Sequence, residues 1–552
     1  MKFLRPFFKS PANTKNTFFL ISLTGITATA VTIASENPNL VPEYTDKAKT
    51  GLDGVVRSSR AIYTISSNVV DYKYSLRGLR LDSDEYYREL SEVNLRSARR
   101  ILKLCETNKG FYVKAGQFAA ALRQIPKEFS STLSSLQDKA VPCNFDAIRE
   151  VLVRNLGKDL SELFLSFDEK PIAAASIAQV HRAVLKDHQE VAIKVQYPGL
   201  EKQMKIDLST MEFLSKSISW IFPEYRFGWM VSEFKRTISA ELDFIQEAKN
   251  SERTAKNFKR NATVRIPHIF WEFTTKQVLT MQFCGGHKVD DLEYMRKTGI
   301  NPTKVAKALV ELFAEMIFVH GFLHGDPHPG NILVSPEGRS GFSLVLLDHG
   351  SYKELDEEFR VDYCQLWNAL ILLDSKKIEM LGERFGVGKY SKYFPVIFTG
   401  RTINSKSSLG RGMSDEEKKN LKAEAKSLKM EDISTFMESL PSDFLTILRT
   451  DGLLKSIITK LEAPQMVRLL TYAKYSIYGL SAKPNPESGF TVKYAVSRFK
   501  GVLGYFQLKL FLDSLDLYSQ MKEFHISILR KLKQMLFGAV HLLTGGEPSL
   551  TS

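Results

Sequence analysis

The stretch that most constrains this chain is HGDPHPGNILV, from His324 to Val334, together with the DHG triplet that begins at Asp348. Asp326 precedes Asn331 by five positions, and an apolar strand pattern then leads to the second carboxylate. Hard oxygen ligands at this spacing suit Mg²⁺ and a triphosphate, with the first Asp beside the phosphoryl group that is transferred. The pattern therefore predicts Asn331 and Asp348 as metal ligands and Asp326 as the catalytic carboxylate. For the isolated string, a Gly- and Pro-rich loop that only joins a helix to a strand is the alternative.

Lys194 lies in VAIKVQ, a segment in which apolar and other residues alternate. A period of two places Lys194 on the strand face opposite to Val191, Ile193 and Val195. An ammonium that projects from such a strand can reach phosphate oxygens as a point charge. The alternative is an edge-strand lysine that opposes aggregation.

The segment before this strand is the candidate phosphate-covering loop, and it is rich in alanine. Alanine or serine occupies positions where such loops usually carry glycine, namely Ala173, Ala174, Ala175, Ser176 and Ala178. Alanine does not readily adopt a positive φ, so we expect a stiffer turn that approaches the phosphates less closely. The adenine edge is expected to meet the backbone of Gln282 to Cys284, where a strand runs into a Gly-rich joint.

An acidic helix is expected to supply the partner of Lys194. The sequence predicts one helix from Trp229 to Asn257 that carries Glu241, Asp243 and Glu247. On one helix, residues six positions apart point about 120° from one another, so only one of the two glutamates faces the lysine. We predict Glu247 for that pairing, and a solvated acidic helix face is the alternative.

A second candidate pair lies upstream, in the string KAGQ. Lys114 and Gln117 are three positions apart and share one face of a predicted helix. Glu241 is left to pair with Lys114. Side chains that simply reach the solvent are the alternative for both residues.

The N-terminus has the composition of an organelle-import presequence, because four of its first sixteen residues are basic and no acidic residue occurs before Glu36. Thr17 to Ser35 is uncharged, and as a helix it would reach roughly 28 Å, close to the thickness of a bilayer core. The segment therefore predicts a membrane helix behind a mitochondrial presequence. If the basic end stays in the matrix, the remainder faces the intermembrane space. A secretory signal peptide competes, with an A-x-A site at Ala28 and Ala30.

The formal net charge of +14 and pI near 9.3 predict an acidic partner, such as nucleic acid or anionic lipid. Nucleic acid is disfavoured because no zinc-finger spacing occurs and aromatic residues are not interleaved with the basic ones. The four cysteines are scattered and predict neither a disulfide framework nor a metal site. A predicted amphipathic helix from Met521 to Leu543 has two interpretations, lying on anionic lipid or packing against the rest of the chain.

Six strings occur together and in a fixed order, and together they resemble the UbiB, or ADCK, family of atypical kinases. They are KAGQ at 114 to 117, AAASIAQVHRA at 173 to 183, VAIKVQYPG at 191 to 199, ELDFIQEA at 241 to 248, HGDPHPGN at 324 to 331 and LLDHG at 346 to 350. The resemblance covers roughly residues 108 to 370. It implies an α+β, bilobal kinase-like fold with a small β-containing N-lobe and a helical C-lobe, whose KxGQ helices obstruct peptide substrates.

The expected domain order follows from the resemblance and the composition together. In chain order it is a mitochondrial presequence (1–16), a transmembrane helix (17–35), a connector with helices (36–107), the KxGQ helical extension (108–142), the N-lobe (143–285), the C-lobe (286–480) and C-terminal helices (481–552).

The resemblance also implies roles for single residues. Lys194 would contact phosphate and pair with Glu247, the alanine-rich loop would cover ATP or ADP, and Asn331 and Asp348 would ligate Mg²⁺. Lys114, Gln117, Glu241 and Asp243 match the KxGQ and ExD signatures that restrain ordinary protein phosphorylation in the family.

The implied activity is ATP hydrolysis or phosphotransfer connected with membrane lipid or coenzyme Q, at the mitochondrial inner membrane. His349 stands where the coenzyme Q biosynthetic members have Phe, so the chain is more similar to the mitochondrial branch linked to lipid homeostasis. A nucleotide-stabilised pseudokinase scaffold that regulates lipid distribution is the alternative. An ordinary protein kinase is disfavoured because no APE triplet follows the DHG turn at the usual distance.

Overall fold

Secondary structure fills most of the part of the chain that the computed structural model describes. Apart from a few single positions, the described residues are 41–80, 83–121, 125–136, 142–223, 228–338, 341–403, 413–427 and 439–480. From the N-terminus to the first large sheet, the elements are α1 (Val41–Ser75), α2 (Asp84–Asn108), α3 (Phe111–Ala121), α4 (Lys127–Leu133), α5 (Phe145–Leu156), α6 (Leu160–Leu163), β1 (Phe164–Phe167), β2 (Ala173–Ala174), β3 (Ala178–Leu185), β4 (Glu190–Gln196), α7 (Leu200–Ile221), α8 (Gly228–Glu241), α9 (Phe244–Asn257), β5 (Val264–Arg265) and β6 (Val278–Gln282).

The remaining elements are mainly helical, with four short strands after β7. They are β7 (His287–Lys288), α10 (Leu292–Thr298), α11 (Pro302–Ala314), β8 (Phe322–His324), β9 (Ile332–Ser335), β10 (Ser343–Leu346), β11 (Tyr352–Glu354), α12 (Glu357–Leu372), α13 (Ser375–Arg384), α14 (Phe394–Thr399), α15 (Asp415–Ser427), α16 (Ser442–Lys460) and α17 (Gln465–Gly479). The chain forms two compact units, of which the first contains α1, α2, α4 and most of α3 and α7.

The first unit is a helical assembly held by a buried ion pair. Arg57 of α1 donates from Nε to Asp207 Oδ1 of α7 over 3.1 Å and from its terminal nitrogen to Oδ2 over 2.6 Å. Gly54 lets these helices approach closely, since a Cβ there would lie 2.8 Å from Ile206 Cδ1. The domain boundaries expected from the sequence put α7 in the N-lobe, whereas its residues group with the N-terminal helices.

The second unit holds the other described elements around two separate hydrophobic cores. The smaller core packs α5 against an antiparallel sheet of order β1-β3-β4-β6, in which β2 also pairs with β3. Val191, Ile193 and Val195 face this core, as the alternation of VAIKVQ predicts. The strand therefore leaves Lys194 on its other face.

The larger core is helical and brings together α11, α12, α16 and α17 around residues such as Phe313, Trp367, Phe444 and Tyr472. Polar residues start these helices at the expected places. Asn301 accepts from Lys304 N ahead of Pro302 at the first turn of α11, and Asp356 accepts from Glu358 N and Phe359 N at the start of α12. A sheet-based lobe and a helical lobe agree with the predicted α+β, bilobal arrangement.

Two predicted helices differ in the structure. The helix expected from Trp229 to Asn257 is divided into α8 and α9, and the one expected from Thr303 to His320 continues beyond α11 as a π-helical turn, Glu315–His320. This turn ends at Gly321, which has a left-handed φ of 62° and so allows the chain to enter β8.

No helix among the described residues is both long enough and apolar enough to cross a bilayer. The predicted presequence (1–16) and the predicted transmembrane helix (17–35) lie outside the described residues. Most of the predicted C-terminal helix from Met521 to Leu543 does so as well.

Candidate active site

Two strand pairings bring the HGD loop and the DHG triplet together. β8 pairs with β11, with His324 opposite Tyr352, so that the residues after β8 and before β11 are neighbours. β9 and β10 form a hairpin in which Ile332 lies opposite Leu346. Beyond that pair, Leu347 N donates to Asn331 O over 2.9 Å. The hairpin therefore places Asn331 beside the turn Asp348–Gly350, which we call the metal-binding turn.

His324 links the two loops through backbone groups. Its Nδ1 accepts from Asp326 N at 3.0 Å, and its Nε2 lies 2.7 Å from the carbonyl oxygen of Asp348, which can only accept. Burial lowers the pKa of His324, so the ring stays neutral with one donor and one acceptor. One side chain thus fixes the backbone of the predicted catalytic Asp and of the predicted metal ligand.

Lys194 lies between two carboxylates. Its Nζ is 2.7 Å from Glu247 Oε1 and 2.9 Å from Asp348 Oδ2. The side chains of Lys194 and Glu247 are only 11% and 1% exposed, whereas that of Asp348 is 35% exposed. The predicted pairing of Lys194 with Glu247 is confirmed, and the same ammonium also reaches the metal-binding turn.

Asp243 explains why the predicted acidic helix is divided. Its backbone is extended, with φ −111°, and its carboxylate caps α9 by accepting from the backbone N–H groups of Ile245 and Gln246. The two glutamates are therefore not on one helix, and the expectation that they diverge by 120° is wrong. A Cβ at Gly350 would lie 3.3 Å from Glu247 Oε2 and 3.6 Å from Glu241 Cγ, so both border the metal-binding turn.

The charge balance of this cluster favours a further cation. Burial and the charge of Asp348 raise the pKa of Glu247 to about 7 despite the attraction of Lys194. Burial by itself would lower the pKa of the Lys194 ammonium, but Asp348 and Glu247 outweigh it and raise that pKa. One ammonium thus faces two carboxylates, and the buried Glu247 Oε2 has no hydrogen-bond partner among the residues that the structure describes.

The predicted metal ligands fit Mg²⁺. Asn331 Nδ2 donates to Asp326 O at 3.1 Å, which orients the amide so that Oδ1 is presented as an acceptor. Asp348 Oδ1 accepts from Gly350 N at 2.9 Å, and the carboxylate as a whole is 35% exposed, so a metal ion can approach it. No cluster of three or more His, Cys, Asp or Glu side chains with metal-binding geometry occurs among the described residues. One amide and one carboxylate suit Mg²⁺, which takes few protein ligands and completes its shell with phosphate and water.

The alanine-rich segment forms the turn of the β2–β3 hairpin. Ala175 N donates to Ala178 O at 2.8 Å, and Tyr197 OH donates to Ala175 O at 3.0 Å. None of the residues from Ala173 to Ala178 has a positive φ, as expected for alanine. The register pairs Ala178 with Gln196, so the turn lies at the end of β3 near the strand that carries Lys194.

The backbone predicted to contact adenine is partly engaged within the protein, and the contact itself stays a prediction. Gln282 N donates to His268 O over 2.8 Å and Phe283 N donates to Glu190 O over 3.0 Å, so neither N–H can serve a base. The backbone of Cys284 makes no hydrogen bond to another described residue. Of the three residues, Cys284 is left as the N–H donor.

The KAGQ string lies in the first unit, and its Gly and Gln have packing roles there. Gln117 Nε2 donates to Leu136 O at 2.9 Å. A Cβ at Gly116 would collide with Leu136 Cδ1 and lie 3.2 Å from Cys105 Sγ. Lys114 is half-buried in α3. Its pairing with Glu241 stays a prediction.

Sequence reasoning missed Arg449, which lies more than a hundred residues after the motif it supports. From α16, its Nε and a terminal nitrogen donate to Gly325 O over 3.2 and 2.9 Å. The guanidinium therefore fixes the backbone next to Asp326. No local pattern in α16 indicates this contact, because it depends on the packing of the helical lobe.

The buried carboxylate of Glu247 generates a pH-dependent prediction. Its pKa of about 7 in the folded state exceeds the value of about 4.3 for an exposed glutamate, and Lys194→Met would raise it further. A carboxyl group whose pKa is higher in the folded than in the unfolded state destabilises the protein as the pH rises above the unfolded-state pKa. The loss in free energy of unfolding should therefore be smallest at pH 5 and larger by about 1 kcal/mol at pH 8, because pH 8 lies about one unit above the wild-type pKa and one unit corresponds to about 1.4 kcal/mol. Urea unfolding at both pH values measures it.

The control is the double variant Lys194→Met/Glu247→Gln, which has no carboxyl at position 247. Compared with Glu247→Gln alone, its stability deficit should be the same at both pH values. A deficit of Lys194→Met that is equally large at pH 5 and pH 8 would contradict the assignment.

Comparison with known proteins supports the relationship that the motifs indicate. Residues 135–381 match the ABC1 atypical kinase-like domain. AarF domain-containing protein kinase 1 of Xenopus tropicalis is 42% identical over 414 residues, which cover 74% of this chain and 79% of the relative. AarF domain-containing kinase 1 of Drosophila melanogaster is 36% identical over 73% of this chain and 79% of its own.

A Dictyostelium discoideum protein named probable serine/threonine-protein kinase abkD is 36% identical over 87% of this chain and 68% of its own length. These matches span both the sheet-based and the helical lobe. The chain therefore belongs to the AarF domain-containing family of ABC1 atypical kinases.

Proposed function

We propose that this protein binds ATP with Mg²⁺ and acts as an atypical kinase or ATPase. The observation that carries the proposal is the position of Lys194 Nζ, 2.7 Å from Glu247 and 2.9 Å from Asp348. The Lys194 ammonium, fixed by the buried Glu247, is placed to contact phosphate. The more exposed Asp348 carboxylate can exchange its contact with the ammonium for a metal ion. Kinase-like sites use this arrangement for phosphoryl transfer.

The residues of the site have separate roles in this proposal. Lys194 would hold the phosphates from the sheet-based lobe, and Asn331 Oδ1 and the Asp348 carboxylate would ligate Mg²⁺ from the helical lobe. Mg²⁺, when bound, neutralises the charge of the phosphate oxygens. Asp326, held through its backbone by His324 and Asn331, orients the attacking oxygen and accepts its proton.

We propose that the attacking group is water or a group on a membrane lipid or quinone, and not a protein side chain. The absence of an APE triplet after the metal-binding turn supports this, because protein kinases dock peptide substrates in that region. Phosphoryl transfer would then serve membrane lipid or coenzyme Q homeostasis. The +14 net charge is compatible with an anionic membrane surface.

A nucleotide-stabilised pseudokinase scaffold is the second candidate, and the alanine-rich turn favours it. A turn without positive φ approaches phosphate less closely than a glycine loop, which weakens the grip on the terminal phosphate. The two candidates differ in turnover. A scaffold would bind Mg-nucleotide and gain stability without hydrolysing ATP.

Asp348→Asn tests the catalytic proposal. The amide keeps the size of the side chain but removes the charge that faces both Lys194 and the metal, so ATP hydrolysis should fall by about 10²-fold or more. Turnover is measured with purified protein and lipid vesicles. Glu293→Gln makes the same chemical change at an exposed pair with Lys297 and should hydrolyse ATP like the wild type. Equal hydrolysis by Asp348→Asn and the wild type would contradict the metal assignment.

We further propose a mitochondrial inner-membrane location, anchored by the segment Thr17 to Ser35, with the catalytic part in the intermembrane space. The basic composition ahead of an uncharged stretch supports this orientation. Protease added to isolated mitochondria should digest a C-terminal tag once the outer membrane is opened. A tag digested only after rupture of the inner membrane would contradict the orientation, and resident proteins of both compartments serve as controls.

A further inference from the structure

One face of α9 binds the metal-binding turn and the strand that follows it. Glu247, Asn250 and Thr254 lie at positions i, i+3 and i+7, which share a helix face. Glu247 Oε1 accepts from His349 N at 3.3 Å, and Asn250 Nδ2 donates to His349 O at 3.0 Å. Thr254 Oγ1 lies 3.0 Å from the hydroxyl of Tyr352. The helix that carries the partner of Lys194 is thus joined to the turn that carries Asp348.

The imidazole of His349 extends this contact into a chain of hydrogen bonds from Thr254 through Tyr352 and His349 to Leu346 O, which we call the relay. Its Nε2 lies 3.1 Å from Leu346 O, which can only accept, so this nitrogen carries the proton. In the neutral ring Nδ1 is then an acceptor, and the Tyr352 hydroxyl, 3.0 Å away, donates to it. The side chains of His349 and Thr254 are almost fully buried. The Tyr352 hydroxyl gives its hydrogen to His349 and so accepts from Thr254, whose single hydrogen is shared between the Tyr352 oxygen at 3.0 Å and Asn250 O at 2.8 Å. Donation therefore runs in one direction, from Thr254 through Tyr352 and His349 to Leu346 O.

We propose that Thr254, Tyr352 and His349 are positioning residues that hold Asp348 in its metal-binding orientation relative to α9. This inference rests on the proposed function and specifies what the DHG histidine does in it. Phenylalanine at position 349 would fill the space but could neither accept from Tyr352 nor donate to Leu346 O. The polar relay is therefore specific to a histidine at this position.

The position of the relay explains why it would act on the metal site. The backbone of Asp348 is held on one side by His324 Nε2, at 2.7 Å from its carbonyl oxygen. On the other side, the next residue in the chain is His349, whose backbone and ring are both bound by α9 or by Tyr352. Breaking the relay leaves the His324 contact and the contacts of α9 with the His349 backbone in place, and removes the hydrogen bond that Nδ1 of the His349 ring accepts from Tyr352. The ring of His349, next to Asp348 in the chain, is then held less firmly, while the core packing of both lobes is unchanged.

The test is the Mg²⁺ concentration that gives half-maximal ATP hydrolysis in the full chain. Tyr352→Phe and Thr254→Val each remove one hydroxyl, and each should raise this concentration about tenfold, as loss of outer-shell partners of metal ligands does. Because both variants break the same relay, the double variant should show about the same tenfold shift, whereas independent effects would multiply to about a hundredfold. Thr254→Ser keeps the hydroxyl and should restore the wild-type value.

Thr399→Val is the matched control. Thr399 is also a buried helical threonine, and its Oγ1 donates to Pro395 O at 2.7 Å, as Thr254 Oγ1 does to Asn250 O at 2.8 Å. It is not one of the residues of the relay. A merely structural loss lowers the active fraction and hence the maximal rate, but leaves the Mg²⁺ dependence unchanged, so Thr399→Val should keep the wild-type Mg²⁺ requirement.

Two further outcomes separate the inference from the proposed function. The same Mg²⁺ dependence is read from ADP binding by calorimetry, which does not need turnover. If wild-type protein responds to Mg²⁺ but Tyr352→Phe and Thr254→Val show no shift, or Thr399→Val shifts equally, the inference is wrong while the proposed function stands. If wild-type protein neither hydrolyses ATP nor binds ADP with Mg²⁺, both are wrong.

Discussion

The structure of the site depends on one constraint, the burial of the Lys194 ammonium between two carboxylates. A buried charge is tolerated only when it is paired and hydrogen-bonded. Glu247 and Asp348 satisfy that need from different elements, one from α9 and one from the turn after β10. The two lobes of the second unit are therefore joined at the point where the proposed chemistry takes place. Two carboxylates and one ammonium leave a net negative charge, which a bound Mg²⁺ would offset.

The arrangement around this pair is built from backbone contacts as much as from side-chain charges. The β8–β11 pairing and the β9–β10 hairpin bring Asp326, Asn331 and Asp348 to neighbouring loops. His324 and Arg449 then fix the carbonyl and N–H groups between them. This explains the composition of HGDPHPGN, in which the histidines bind backbone groups and the first glycine leaves room for a guanidinium 3.0 Å from where its Cβ would lie.

The sequence predicted the parts of the site that depend on local periodicity. The alternation of VAIKVQ placed Lys194 opposite the core. Glu247 was predicted as its partner, although the single-helix geometry used to separate it from Glu241 is wrong. The break between α8 and α9 was not predicted, because apolar residues continue across it and only the capping role of Asp243 divides the helix. The backbone of Gln282 to Cys284 was assigned to adenine. The sequence does not show that two of its N–H groups already donate to His268 and Glu190, because these partners come from distant segments. Tyr352 and Arg449 were not predicted as site residues, because long-range packing brings them to the site.

The measurement that tests the central claim most directly is a calorimetric titration of the full chain with ADP, with Mg²⁺ and with EDTA in its place. If Lys194, Asn331 and Asp348 hold a magnesium-bound nucleotide, ADP should bind in the presence of Mg²⁺ and lose at least about tenfold in affinity when the metal is removed. Equal affinity under both conditions, or no binding under either, would contradict the account.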